Sequence, residues 1–97
     1  MSKPVPYQKT FLNYFEVKDY LISSGKLTRE QEDIVWSKMV AWGEVSNGCE
    51  YYIDSFVDYI DEAGEDEWSI PVEHVPFFQA FVDFANEAGC DVFWIEW

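Results

Sequence analysis

The chain has 97 residues, a net charge of -13, 48% apolar and 20% aromatic residues. That supply of large apolar side chains excludes a disordered acidic tail and points to one folded domain, 1–97, with a small aromatic core. The negative charge argues against direct binding to nucleic acid or anionic membranes and favours basic protein surfaces. The charge is unevenly placed: residues 1–29 hold five bases against two acids, and residues 30–97 hold Lys38 alone against 17 acids.

In chain order, Pro4 and Pro6 predict an irregular N-terminal arm over 1–9. Thr10 is the expected N-cap of a first helix over 11–23, with Phe11, Phe15 and Ile22 on its buried side, close to Tyr14, Val17 and Leu21. Ser23-Ser24-Gly25 stops it. Thr28 and Gln31 have the spacing of a capping box, and Glu30, Glu32 and Asp33 favour the positive helix end. They open a second helix over 28–42 with an apolar stripe of Val35, Trp36, Met39, Val40 and Trp42. The short connection predicts an antiparallel helical hairpin.

Ser46-Asn47-Gly48 reads as a turn. The next segment could begin as a strand, but Cys49, Tyr52, Ile53, Phe56, Val57 and Ile60 recur at helical spacing, which predicts a third helix over 49–63. Gly64 ends it. An acidic loop leads to a short expected strand, 67–70, closed by Pro71. Pro76 suits the first turn of a fourth helix over 76–88, whose buried face is Phe77, Phe78, Phe81, Phe84 and Ala85. After Gly89, residues 91–96 are rich in strand formers and are expected to pair with 67–70 in parallel through a right-handed crossover. The expectation is therefore an α+β fold of four helices with a minimal C-terminal strand pair.

Little in the chain suits catalysis. His74 is the single histidine and stands just before a helix, where a surface or capping role is expected. Cys49 and Cys90 lack metal-ligand spacing and read as buried free thiols, a disulfide between them being the less favoured alternative. No calcium-binding or phosphate-binding loop is present, and 19 acids make a close carboxylate pair uninformative. The reading is a non-enzyme without metal or cofactor. With no apolar leader and no span of about 18 apolar residues, a cytoplasmic location is expected.

The informative segment is 50–67. On a helical wheel, Glu50, Asp61, Asp54, Glu65, Asp58 and Glu62 follow one another in that order within an arc of about 120°. The apolar residues occupy an arc of about 160° on the opposite side, and Tyr51 sits amid the acids. Like charges four apart repel by a few tenths of a kcal/mol per pair, and no Lys or Arg is interleaved to relieve them. Such a row resembles the regular negative charge of a nucleic-acid backbone.

The expected function is a non-enzymatic inhibitor of a basic nucleic-acid-binding protein: a nuclease, a restriction or CRISPR-type defence complex, or a repressor. Glu50, Asp54, Asp58, Asp61, Glu62 and Glu65 are the expected main contacts, with Tyr51, Asp66 and Glu67 secondary. The alternative is an interaction or assembly module built on the aromatic terminus Phe93, Trp94, Ile95 and Trp97, which would pair with another chain or homodimerise the protein; simple filling of the core is the favoured role of those residues.

In size and charge the chain resembles small acidic inhibitors that mimic DNA, phage anti-restriction and anti-CRISPR proteins among them. This is a likeness of composition and not of motif. Residues 77–97, with a helix, Gly89-Cys90-Asp91 and a strand, resemble the C-terminal end of barstar, the acidic ribonuclease inhibitor. A helix stopping at glycine before a strand is common, and residues 1–76 do not share the pattern. The chain is assigned to neither group.

Overall fold

The computed structural model describes residues 11–43 and 45–96. The expected arm over 1–9, the Thr10 cap, the Phe11 side chain and Trp97 lie outside what is described. The elements are β1 (Phe11–Asn13), α1 (Tyr14–Ser23), α2 (Arg29–Gly43), β2 (Cys49–Tyr52), α3 (Ile53–Asp61), α4 (Val75–Ala88) and β3 (Val92–Ile95). A 3-10 turn, Val72–His74, leads into α4. The four expected helices and the C-terminal strand are present, so the fold is α+β.

The sheet is larger than expected and differently partnered. Its order is β1-β3-β2. Phe11, Leu12 and Asn13 run parallel to Val92, Phe93 and Trp94. Cys49 to Tyr52 run antiparallel to Ile95 to Val92. The sequence pattern assigns both strands to the first turns of helices, and the structure corrects it.

For β2 the reason is visible in its burial. Under a helical period Tyr52 faces inward and Tyr51 outward; in the structure Tyr51 is 4% exposed and Tyr52 55%. Alternation with period two prevails. It is sealed at both ends, by the Gly48 amide on the Ile95 carbonyl (2.6 Å) and the Ile53 amide on the Asp91 carbonyl (3.1 Å).

α1 accordingly starts later than expected. Its N-cap is Asn13, whose Oδ1 accepts from the Phe15 amide at 2.8 Å, so a side-chain oxygen satisfies one of the orphan amides of the first turn. Tyr14, Val17 and Leu21 form the buried face, and Phe15 and Ile22 are half-buried beside it.

The capping box of α2 forms as expected. The Thr28 amide donates to Gln31 Oε1 (3.0 Å), and the Gln31 amide to Thr28 Oγ1 (3.1 Å). Of the predicted stripe, Val35 and Met39 are buried, whereas Val40 and Trp42 are about half exposed. Gly43 ends α2 under the Tyr51 ring, and a Cβ there would fall 2.6 Å from the Tyr51 hydroxyl oxygen. Only glycine fits beneath that ring.

Residues 67–70 do not form the expected strand; they are turn and irregular chain. Asp66 Oδ1 accepts from the amides of Trp68 (2.8 Å) and Ser69 (3.0 Å). The backbone donors that a strand would offer a neighbour are consumed locally, the usual way an aspartate competes with a ladder.

α4 begins with Pro76 in its first turn and stops at Gly89, which takes a left-handed conformation (φ 73°). The Cys90 amide then reaches the Ala85 carbonyl at 2.8 Å, closing the helix end in a Schellman-type arrangement.

One aromatic cluster joins these pieces. Tyr14, Phe56, Phe78, Phe81 and Phe93 are fully buried. Tyr14 stacks on Phe81 with ring centres 5.2 Å apart, and Phe56 meets Phe81 at 5.8 Å and Phe93 at 5.9 Å. Such offset and edge contacts stabilise beyond area burial alone. β3 is the middle strand, with β1 on one edge and β2 on the other, and Phe93 and Ile95 belong to the core.

Candidate acidic interface

α3 carries the apolar face that holds it and the acidic face it displays. Ile53 and Phe56 are buried. Asp54, Asp58, Asp61 and the C-cap residue Glu62 are exposed, at i, i+4, i+7 and i+8, which places them along one side of a helix. Among the described residues none of these four side chains takes part in an ion pair or hydrogen bond with a Lys or Arg. The last turn of α3 has no basic residue, so Asp58 and Asp61 face the negative end of the helix dipole without compensation.

The acidic rod expected over 50–67 is shorter than the wheel implies, because the wheel applies only from residue 53 to 62. Glu50 is exposed on β2, where it accepts from the Tyr52 hydroxyl at 3.2 Å. That hydrogen bond, and the carboxylate charge behind it, raise the tyrosine pKa. Glu65, Asp66 and Glu67 are exposed in the turn after α3. Asp66 also holds that turn together through its Oδ1.

Tyr51 is not among the acids. It is buried, and its hydroxyl shares a 2.6 Å hydrogen bond with that of Tyr59. Burial, then the Tyr59 contact, push its pKa well above the usual tyrosine value. The structure therefore brings together Asp54, Asp58, Asp61 and Glu62, leaves Glu50, Glu65, Asp66 and Glu67 at the two ends of that row, and removes Tyr51.

Beside the row lies a feature that sequence reasoning missed. Lys38 Nζ sits 4.8 Å from the centre of the Trp42 ring and 5.1 Å from that of Tyr59, and it donates to the Trp68 carbonyl at 2.9 Å. Trp42 and Trp68 meet edge to face at 5.8 Å. These groups, with Glu62 and Asp66, line a cleft of about 290 Å³. Desolvation lowers the Lys38 pKa, and the nearby Asp66 and Glu62 oppose that shift. The signal available in the sequence was a lysine placed four residues before a tryptophan, in a stretch otherwise empty of bases.

Glu32 lies in the first turn of α2, as expected, and its side chain turns inward, where it accepts from the Tyr14 hydroxyl at 2.7 Å. Burial, with the charge and hydrogen bond of Glu32 added, drives the Tyr14 pKa far above its ordinary value.

A larger cleft, about 520 Å³, runs between α1 and α4 beside Tyr20, Lys26, Asp83, Phe84 and Glu87. His74 is half-buried ahead of α4 and stacks on Phe77 at 5.4 Å; its side chain makes no capping hydrogen bond. Cys49 and Cys90 are not joined in a disulfide, and Cys90 Sγ donates to the Val92 carbonyl at 2.8 Å.

Among the described residues no group of three or more His, Cys, Asp or Glu side chains is placed to hold a metal ion. Among the same residues no helix is long and apolar enough to cross a membrane. Comparison with known protein families, with curated proteins and with solved structures finds no match for this chain.

Proposed function

We propose that the protein is a cytoplasmic, non-enzymatic inhibitor. It binds a basic nucleic-acid-binding protein, such as a nuclease, a defence complex or a repressor, by presenting carboxylates where that protein expects phosphates. The observation that carries this reading is the exposed row Asp54, Asp58, Asp61 and Glu62 on α3, in which no carboxylate pairs with a Lys or Arg among the described residues and Glu62 alone has a basic side chain, Lys38, close by. Solubility needs charge but not charge of one sign on one face, and a row of like charges makes the free helix less stable. Binding to Lys and Arg would convert that repulsion into attraction, and the field of the acidic surface would speed encounter at low salt. Between Asp54 and Asp61 the helix rises about 10 Å, so the row spans only a few phosphates; Glu50 on β2 and Glu65 and Glu67 in the following turn extend it at either end.

The test is the triple variant Asp54→Lys, Asp58→Lys, Glu62→Lys. All three side chains are exposed, so far-UV circular dichroism should be unchanged. Basic nucleic-acid-binding proteins captured from a low-salt lysate by the wild type, and released along a salt gradient, should no longer be captured. Retention of the same partners by the folded variant would overturn the proposal.

A further inference from the structure

The cleft beside the acidic row already holds a cation. The Lys38 ammonium lies against the faces of Trp42 and Tyr59. Its one hydrogen bond among the described residues is to the Trp68 carbonyl, although an ammonium has three N–H groups to place. Besides Ser69 and Ile70, the walls carry rings, a carbonyl and the carboxylates of Glu62 and Asp66. Each of these attracts positive charge: the ring faces through their quadrupoles, the carbonyl through its dipole, the acids directly.

The tryptophans are unusually open for such large side chains, Trp42 being 52% and Trp68 65% exposed. Lys38 thus leaves much of both rings in water, and a compact, strongly hydrated ammonium is the less suited of the two biological cations to that shape. A guanidinium is flat, weakly hydrated, stacks on aromatic faces and carries five N–H groups in a planar fork. Glu62 is both a wall of this cleft and the last member of the α3 row, so a side chain entering here belongs to whatever lies along α3.

Resting on the charge-mimicry reading above, we propose that the Trp42–Tyr59–Trp68 cleft is the anchoring pocket for one arginine of the basic partner. The incoming guanidinium displaces the Lys38 ammonium, stacks on the face of one tryptophan with the other, set at 77° to it, walling its edge, and pairs with Glu62 and with Asp66 through Oδ2, the oxygen that the turn does not use. The α3 row supplies attraction to any basic surface; the cleft supplies the preference for arginine over lysine. Lys38 is the resident occupant that keeps the pocket formed when no partner is bound.

The test uses the full chain and two fluorescein-labelled peptides of equal charge, octa-arginine and octa-lysine, titrated by fluorescence anisotropy at one fixed low salt concentration. The wild type should bind octa-arginine about threefold to tenfold more tightly, the range expected of a partly exposed cation–ring contact. Trp68→Ala and Trp42→Ala, made singly and checked by far-UV circular dichroism, should bind both peptides alike. Lys38→Met keeps the aliphatic stem but removes the competing cation, so it should raise octa-arginine affinity more than Lys26→Met. The latter makes the same change in net charge at a site outside the cleft.

Equal binding of the two peptides by the wild type, an arginine preference that survives in both folded tryptophan variants, or equal effects of Lys38→Met and Lys26→Met would each overturn the pocket. Asp54→Lys with Asp58→Lys separates this from the parent reading. If that pair leaves both affinities unchanged while the tryptophan variants lose the preference, the row is not the attractive element and the pocket stands alone. If it abolishes both while the tryptophan variants behave as wild type, charge mimicry stands and the pocket falls.

Discussion

Asp58→Lys should make the free protein more stable while making it a worse binder. Asp58 has Asp54 four residues before it, Asp61 three after and Glu62 four after, all exposed. Like charges at these helical spacings cost about 0.2–0.5 kcal/mol each. Removing three such contacts therefore returns roughly 0.6–1.5 kcal/mol, and placing a lysine there adds attraction of similar size.

The position is also in the last turn of α3, where a positive charge gains about 0.3–1 kcal/mol from the helix dipole. Lysine is the better helix former by a further few tenths of a kcal/mol. These contributions overlap and are screened, so a net gain of about 1–2 kcal/mol at low ionic strength is expected.

Urea unfolding followed by circular dichroism reads this directly. With a slope of about 1–1.5 kcal/mol per molar urea for a small domain, the midpoint should rise by about 1 M. Because the Debye length falls from about 30 Å at 0.01 M salt to about 3 Å at 1 M, the gain should shrink at high salt to little more than the propensity difference. Asp58→Asn, which removes the charge without improving propensity, should recover roughly half the low-salt effect. A variant no more stable than wild type at low salt, or a gain equally large at high salt, would show that the carboxylates on α3 do not strain the free fold. The row would then carry no energetic cost in the free protein for recognition to offset.

Tyr14→Phe strands the buried Glu32 carboxylate and should cost about 1.5–3 kcal/mol by urea unfolding, whereas Glu32→Gln, which keeps an acceptor, should cost less. Gly43→Ala forces a Cβ into the Tyr51 ring; it should cost about 1–3 kcal/mol and loosen the Tyr51–Tyr59 contact, seen as a lower thermal midpoint. Both Tyr14 and Tyr51 have raised pKa values in the folded state. Their contribution is intact below the unfolded tyrosine value of 10.0 and is lost as pH rises past it, since only the unfolded chain then sheds those protons. Stability should fall above about pH 10, and tyrosinate absorbance from these two residues should appear only together with unfolding.

The chain's local chemistry was legible without coordinates. The Thr28–Gln31 box, Pro76 in the first turn of α4, the stop at Gly89 and the amphipathic face from Phe78 to Ala85 all depend on residues within a few positions of one another. The acid-rich outer side of α3 follows from the same short-range logic. The strands did not yield to it. β1 and β2 are three and four residues long, and each exists because Val92–Ile95 lies alongside, a pairing across some forty to eighty positions that no local period encodes.

Cys49 to Tyr52 satisfy both a helical and an alternating pattern. Only the hydrogen bonds to β3 decide between them, and in deciding they turn Tyr51 inward and detach Glu50 from the helix. The burial of Glu32 was not legible for the same reason, because its partner Tyr14 comes from another element. The cleft of Lys38, Trp42, Tyr59 and Trp68 gathers side chains from α2, α3 and the Asp66-capped turn. Sequence by itself determined how much negative charge this protein carries and which helix displays it. Tertiary structure alone decided where that row ends, and that a pocket of rings holding a cation lies beside it, because both depend on contacts between segments that are distant along the chain.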